Sequence, residues 1–431
     1  MEGKMDSSIG IVVGIDIAHD YTQVSYYTAG MNEPDSMSTI YNEQKYLIPT
    51  VLFKWENREE WLIGDEAMLR AGRNEGKAID GILELVLTNA IETVDGKDYS
   101  ATEIFEKYIE LLFEQIKKGC NCQNVNGVAV TIEYPDRVLV DMIFAAISKC
   151  NIDEERIRVI GHSEALLYYI VNQKKDIWIN DVAMFDYSRE HYIYRRVTQT
   201  RGNAKTILKV EEFDLTDEFP YEYLKTAEGR NEADEKLKEF IEKEFRSHIV
   251  SAVFLTGSGF YDADWIDKAL PSLCNKRRVF KGHNLFVKGA CYGIMEKLNI
   301  QNQSEYIFQC TGRTAVDIGI IVKHNDRDMQ LWCSKSGVNW YEAGAIVECI
   351  LDDIKEVKVV IVNPLTKLSR NVVLDLSEFP DRPNKTTRVA ITVAYKNAKQ
   401  CSIIVKDKGF GELFKASDKM VRKNINIEEM I

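Results

Sequence analysis

The stretch "IVVGIDIAHDYTQVSYY", Ile11 to Tyr27, decides how the fold is read. Its first half is apolar and β-branched, its second half alternates, and a tight turn separates them, so it reads as two strands of a hairpin. Asp16 closes the apolar run, and Ala18, His19 and Asp20 follow in the turn. A turn that cradles phosphate favours Gly, Thr or Ser there, because the backbone must approach the anion without a Cβ in the way. The question is whether this is a working phosphate site or the shell of one.

Working outward, "NDVAMFDYSREHYIYRRVTQT" repeats the plan, with an apolar strand, a terminal Asp186, a turn and a return strand. The two halves therefore look like a duplicated unit. Between them come an amphipathic helix near 102–118, the apolar strand "NGVAVTIEYP", the helix "RVLVDMIFAAISKCNI", the strand "RIRVIG" and the helix "HSEALLYYIVNQ". Alternating strands and helices of this kind define a doubly wound α/β arrangement. After the charged helix "NEADEKLKEFIEKEF" comes "SAVFLTGSGF", a strand ending in a glycine-bracketed turn, and then the helix "LFVKGACYGIMEKL". From Tyr306 the pattern changes to period-2 strands such as "TAVDIGIIVKH", "VKVVIVNPL" and "TRVAITVAYK", separated by Asn, Asp, Pro and Gly turns. That is an all-β, sandwich-like module. The expected boundaries are an α/β domain over 1–300, with lobes near 9–180 and 181–300, and a β-sandwich over 305–420, after which the chain is too short for a helical domain.

Composition narrows the function. The 431 residues carry a net charge of -12, which argues against a nucleic-acid backbone or an anionic membrane surface as partner. The one basic cluster, "NKRRVFKGH" with Arg277 and Arg278, reads as a solvated turn unless the fold carries it to a phosphate. The nine cysteines include no CxxC pair, Cys120 and Cys122 lack a His at ligand spacing, and no window is apolar enough to span a membrane. A reducing, cytoplasmic setting with mostly buried thiols is expected.

The collinear order of these segments resembles the superfamily of actin and the seventy-kilodalton heat-shock chaperones. "GIDIAHDYTQVSYY" sits where that superfamily has its first phosphate hairpin, "YLIPTVLFKWENREEWLIGDEA" is similar to the segment after it, "AMFDYSREHYIYR" to the second phosphate hairpin and "FLTGSGF" to the adenosine turn. "KTTRVAITVAYKNAKQCSIIVKDKGFG" resembles the last strands of the chaperone sandwich. The resemblance implies a two-lobed, ribonuclease H-like ATPase domain followed by a substrate-binding β-sandwich, with ATP or ADP and magnesium as the cofactor and a protein or peptide as the partner. It departs in two places: the segment from about Arg195 to Arg246 is short for the clamp over the adenine, and no helical lid follows the sandwich.

Carried onto this chain, the nucleotide contacts implied are Gly14, Asp16, Ala18, His19, Asp186, Ser188, Gly257, Ser258 and Gly259, with magnesium held through water by Asp16 and Asp186 and with Glu164 as a further catalytic candidate. Each Asp can equally cap a β-turn, and Glu164 can be an ordinary first-turn helix acid. The remaining machinery is missing. Met68 stands where the family has a lysine, and His162 and Ser163 replace the Glu-Pro of the connecting helix. The second turn offers Tyr187, Ser188, Arg189 and Glu190 instead of glycine. Phosphoryl transfer to water needs charge neutralisation, backbone donors at the phosphates and a positioned water, so hydrolysis is expected to be absent or very slow, and residual nucleotide binding to rest on the Gly257–Gly259 turn. The expected function is a protein-binding or scaffolding module. The competing reading is an active chaperone ATPase in which Asp16, Asp186 and Glu164 organise magnesium and water; a filament former is disfavoured by the appended sandwich.

Overall fold

The computed structural model describes residues 10–430 apart from 41–42, 57, 202–204, 263, 302–304 and 326. The chain forms two compact units, one of Met1–Gln199 with Lys209–Ser304 and one of Thr200–Leu208 with Glu305–Ile431. The expected linker between the domains, around 301–305, therefore falls mostly outside the described residues.

The first unit is built on two sheets of the same design. In one, the strand order is Ile157–Gly161, Val125–Ile132, Ile11–Ile17, Tyr21–Tyr27 and Asp35–Ser36; in the other it is Arg278–Lys281, Val250–Thr256, Asp181–Tyr187, Tyr192–Arg201 and Thr206–Asp214. Each has a central strand paired antiparallel with its hairpin partner on one side and parallel with a crossover strand on the other. The register repeats as well: Asp16 faces Thr131 and Asp186 faces Thr256. So does the turn, where Ala18 N–H donates to the Tyr21 carbonyl at 3.1 Å and Ser188 N–H to the His191 carbonyl at 2.8 Å. Equivalent positions are thus Asp16 and Asp186, His19 and Arg189, Asp20 and Glu190, Tyr21 and His191. The central strands read as continuous apolar runs because both of their faces are covered.

Helices His162–Val171 and Leu285–Lys297 cross between the halves, and glycine sets how closely. A Cβ on Gly289 would overlap the Ala165 carbonyl, and one on Gly14 would overlap the Val287 carbonyl and the Cys291 amide. Gly14 is therefore a packing glycine between its strand and helix Leu285–Lys297, which corrects its expected place at a nucleotide.

The second unit is a pair of four-stranded sheets, ordered Arg327–Ser334, Asp317–His324, Glu356–Val362, Ser369–Asp375 and Gly344–Ile350, Arg388–Asn397, Gln400–Gly409, Met420–Asn426. Alternate residues of both enclose one core that includes Ile318, Val359, Val389, Ile403 and Trp340. The strand Met420–Asn426 pairs along Gln400–Gly409, so this unit runs past the expected end at 420. Asp407 anchors the approach to that strand: it is fully buried, takes a two-bond grip from Arg382 at 2.8 and 2.7 Å, and accepts the Ser417 amide at 2.8 Å.

Only Cys291, Cys333 and Cys401 are buried among the nine free thiols, fewer than expected. Cys120 and Cys150 sit just beyond the ends of helices, where the backbone turns towards the surface. No helix among the described residues is long and apolar enough to cross a membrane.

Candidate functional site

The ends of the two central strands, the two hairpin turns and the turn after Thr256 enclose a cavity of about 200 Å³ in the first unit. Drug-sized ligand pockets typically start at roughly 300 Å³. Of the residues carried over from the resemblance, Asp16, Ala18, His19, Asp186, Ser188, Gly257 and Ser258 line it. Gly14, Glu164 and Gly259 do not. Glu164 is buried on its helix and is not part of the cavity lining. Gly259 lies against the ring of Tyr187, and Gly257, at φ 90°, against the Tyr187 backbone, where a Cβ on either would clash. Both glycines therefore meet a need of chain packing, and Gly257 also lines the cavity. Tyr187 itself ends a strand, fully buried in the second half's aromatic core, and does not belong to the turn. Arg277 and Arg278 also lie elsewhere: Arg277 stacks over Phe245, and Arg278 pairs with Asp176 at 2.7 Å. Met68 is half exposed on helix Gly64–Ala71.

Both strand-end carboxylates are already engaged. Asp16 Oδ1 accepts from His162 Nε2 at 2.9 Å, and both side chains are buried. Phe286 stacks on the His162 ring at 3.9 Å, which fixes the imidazole plane. Asp186 Oδ2 lies 3.1 Å from Arg195 Nη1 and 3.3 Å from His191 Nε2. Arg195 has no exposed surface, and its Nε reaches Ser163 Oγ and Glu212 Oε1, each at 3.2 Å. His191 Nδ1 lies 3.1 Å from Glu133 at the end of Val125–Ile132, so this imidazole bridges the two halves.

The electrostatics follow. Burial opposes a charge on His191, but its hydrogen bond to Asp186, the Asp186 charge and Glu133 outweigh it and raise its pKa to about 10. Asp186 is likewise buried, yet His191, Arg195 and His162 hold its carboxyl well below the usual carboxylate range. His283, on the same wall, is pushed down to about 4 by burial and then by Lys281.

At the mouth the equivalent positions of the two turns grip each other. His19 Nδ1 lies 3.4 Å from Glu190 Oε1, and Arg189 Nε 3.9 Å from Asp20 Oδ2, so the base of each turn meets the acid of the other. Four of the six histidines (His19, His162, His191 and His283) line the cavity with five carboxylates (Asp16, Asp20, Glu133, Asp186 and Glu190), and among the described residues no Lys or Arg joins them.

Reading from the sequence found the aspartates and His19 but missed His162, His191, Glu133, His283 and Arg195 as site residues. The available signal was a histidine at, or within five residues of, three strand ends, in a chain with only six.

A duplicated α/β unit with a histidine- and carboxylate-lined cleft, followed by a β-sandwich unit, is what the fold and site define. The chain belongs to a family of unknown function, DUF5716, whose C-terminal family pattern matches residues 33–311. A domain of unknown function, DUF8552, matches residues 313–427. None of the curated proteins matches the chain.

Proposed function

We propose that this protein is a divergent relative of the actin and heat-shock chaperone superfamily that retains the two-lobed architecture, hydrolyses ATP very slowly or not at all, and acts as a protein-binding or scaffolding module. Support for the kinship comes from the strand order repeated in both halves, from the paired turns and from the sandwich unit that follows.

The observation that carries the loss of hydrolysis is the engagement of both aspartates, Asp16 by His162 and Asp186 by His191 and Arg195. A hydrated magnesium ion needs carboxylate oxygens facing water, and one oxygen of each aspartate is held by buried cationic or donor groups. Among the described residues the lining also lacks Lys and Arg while holding five carboxylates, a poor setting for a triphosphate. Any binding of ATP or ADP with magnesium is accordingly expected to be weak.

Support for a protein partner comes from the sandwich. Ile346 and Ile350 project outward from Gly344–Ile350, an edge strand, and are 72% and 51% exposed. Exposed apolar edges of this kind suit strand addition by an extended segment.

The test is phosphate release by purified protein with magnesium and ATP, alongside calorimetric titration of the nucleotide. No turnover above the buffer rate is expected. Turnover that Asp186→Asn abolishes would overturn the reading. For the sandwich, Ile346→Lys with Ile350→Lys should remove retention of an extended apolar peptide; retention unchanged by both would remove that half of the proposal.

A further inference from the structure

We infer that the outward face of the sheet Gly344–Ile350, Arg388–Asn397, Gln400–Gly409 and Met420–Asn426 docks an amphipathic helix with an acidic flank. The inference rests on reading this unit as a protein-binding module and adds a surface separate from the sheet edge.

The register defines that face. Val389, Ile391 and Val393 point into the core, as do Ile403 and Val405, so the residues between them point outward. Cross-strand pairing sets Ile346, Thr392, Ile404 and Arg422 side by side in one row, and Glu348, Ala390, Lys406 and Met420 in the next. Ile350 stands opposite Arg388 at one end. An antiparallel sheet face left to water normally carries polar side chains. Here Ile346, Ile350 and Met420 are each more than half exposed, and Ile404 is partly exposed on a strand between them. Apolar side chains grouped in this way mark an interaction surface.

The chemistry of the occupant follows. The interior strands spend their backbone hydrogen bonds within the sheet, so a segment lying on the face must satisfy its own, as a helix does. Ala390 and Thr392 keep the strand Arg388–Asn397 low between the larger side chains of Gly344–Ile350 and Gln400–Gly409. Those flanking strands are two spacings apart, about 9.5 Å, close to the width of a helix with its side chains, about 10–12 Å. Charge selects the flank. Glu348 is the acid of these rows and already pairs with Arg388 at 3.4 Å, whereas Lys406 and Arg422 are exposed cations with no acid beside them in the rows. Acidic side chains on the flank over Gln400–Gly409 meet both cations, while the net charge of -12 repels an anionic membrane from the chain as a whole.

The test is fluorescence anisotropy of the full chain with a labelled helical peptide of about 18 residues, leucine on one face and glutamate on the other, against the same peptide with lysine for glutamate. The glutamate peptide should bind saturably, at least about tenfold tighter than the lysine peptide, and more weakly as salt rises. Lys406→Glu with Arg422→Glu should reverse that preference. Ala394→Arg, at an exposed position on the same face, should weaken the glutamate peptide by at least about tenfold while an extended peptide on the edge is still retained. Helix binding that survives loss of edge retention supports the inference, and absence of helix binding with the extended peptide still held overturns it alone. It is overturned as well if the two peptides bind alike, if the charge-reversed variant binds as the parent does, or if vesicles of anionic lipid bind in place of the peptide.

Discussion

His162 Nε2 stands 2.9 Å from Asp16 Oδ1, both side chains buried, and the contact ties the start of one crossing helix to the end of the first central strand. A carboxylate can only accept, so the imidazole carries its proton on Nε2. Removing the histidine leaves Asp16 buried with no donor from that side. His162→Leu should therefore destabilise the first unit by about 3–5 kcal/mol in denaturant unfolding, and adding Asp16→Asn should restore a substantial part. Strict additivity of the two changes would show that the residues do not act as a pair.

The alkaline limb of stability should belong to His191. Its pKa is raised in the folded state to about 10 from about 6.5, so its contribution is complete below about pH 6.5 and is lost as pH rises towards 10. Asp186 behaves in the opposite sense: its carboxyl is depressed, so its contribution is present above the ordinary carboxylate range and is lost on acidification. Thermal midpoints measured from pH 6 to pH 10 should fall for the parent and stay flatter for His191→Gln. Parallel curves would remove His191 as the titrating bridge.

Two glycines set helix separation. Gly289→Ala would drive a methyl group into the Ala165 carbonyl, and Gly14→Ala would do the same against helix Leu285–Lys297. Each is expected to cost roughly 1–3 kcal/mol or more, while Gly30→Ala, where nothing stands within 4 Å but φ is 99°, should cost only the backbone strain of about 1–2 kcal/mol. Equal losses at all three positions would refute the close-approach explanation.

Gly257→Val tests whether the turn after Thr256 serves packing or nucleotide. With φ at 90° and Tyr187 against it, the substitution should lower the thermal midpoint markedly before any ligand is added. A fully stable variant would return this turn to the list of ligand-contact candidates.

In the sandwich unit, Arg382→Met should leave Asp407 buried without its two-bond partner. The expected cost is about 3–5 kcal/mol, seen in the unfolding transition of that unit and not in the first. A shift confined to the first unit would contradict the assignment.

Much of the architecture was legible because it rests on local pattern. The apolar run of Ile11–Ile17 and the alternation in Arg388–Asn397 each announce a strand and the number of its covered faces. The short or mixed strands Gly344–Ile350 and Met420–Asn426 were not legible, since their exposed Ile346, Ile350 and Met420 blur the period and pairing with long neighbours decides their conformation.

By itself the sequence determined the duplicated hairpins, the two strand-end aspartates and the change to an all-β unit, because each depends on residues within a few positions of one another. Only the tertiary structure decided what those aspartates do. His162 lies 146 residues from Asp16, and Glu133 comes from a different sheet than His191, so their pairing depends on where helices and strand ends converge. In a buried cleft, where an unpaired charge is costly, that convergence sets which groups are ionised and what kind of ligand the space accepts.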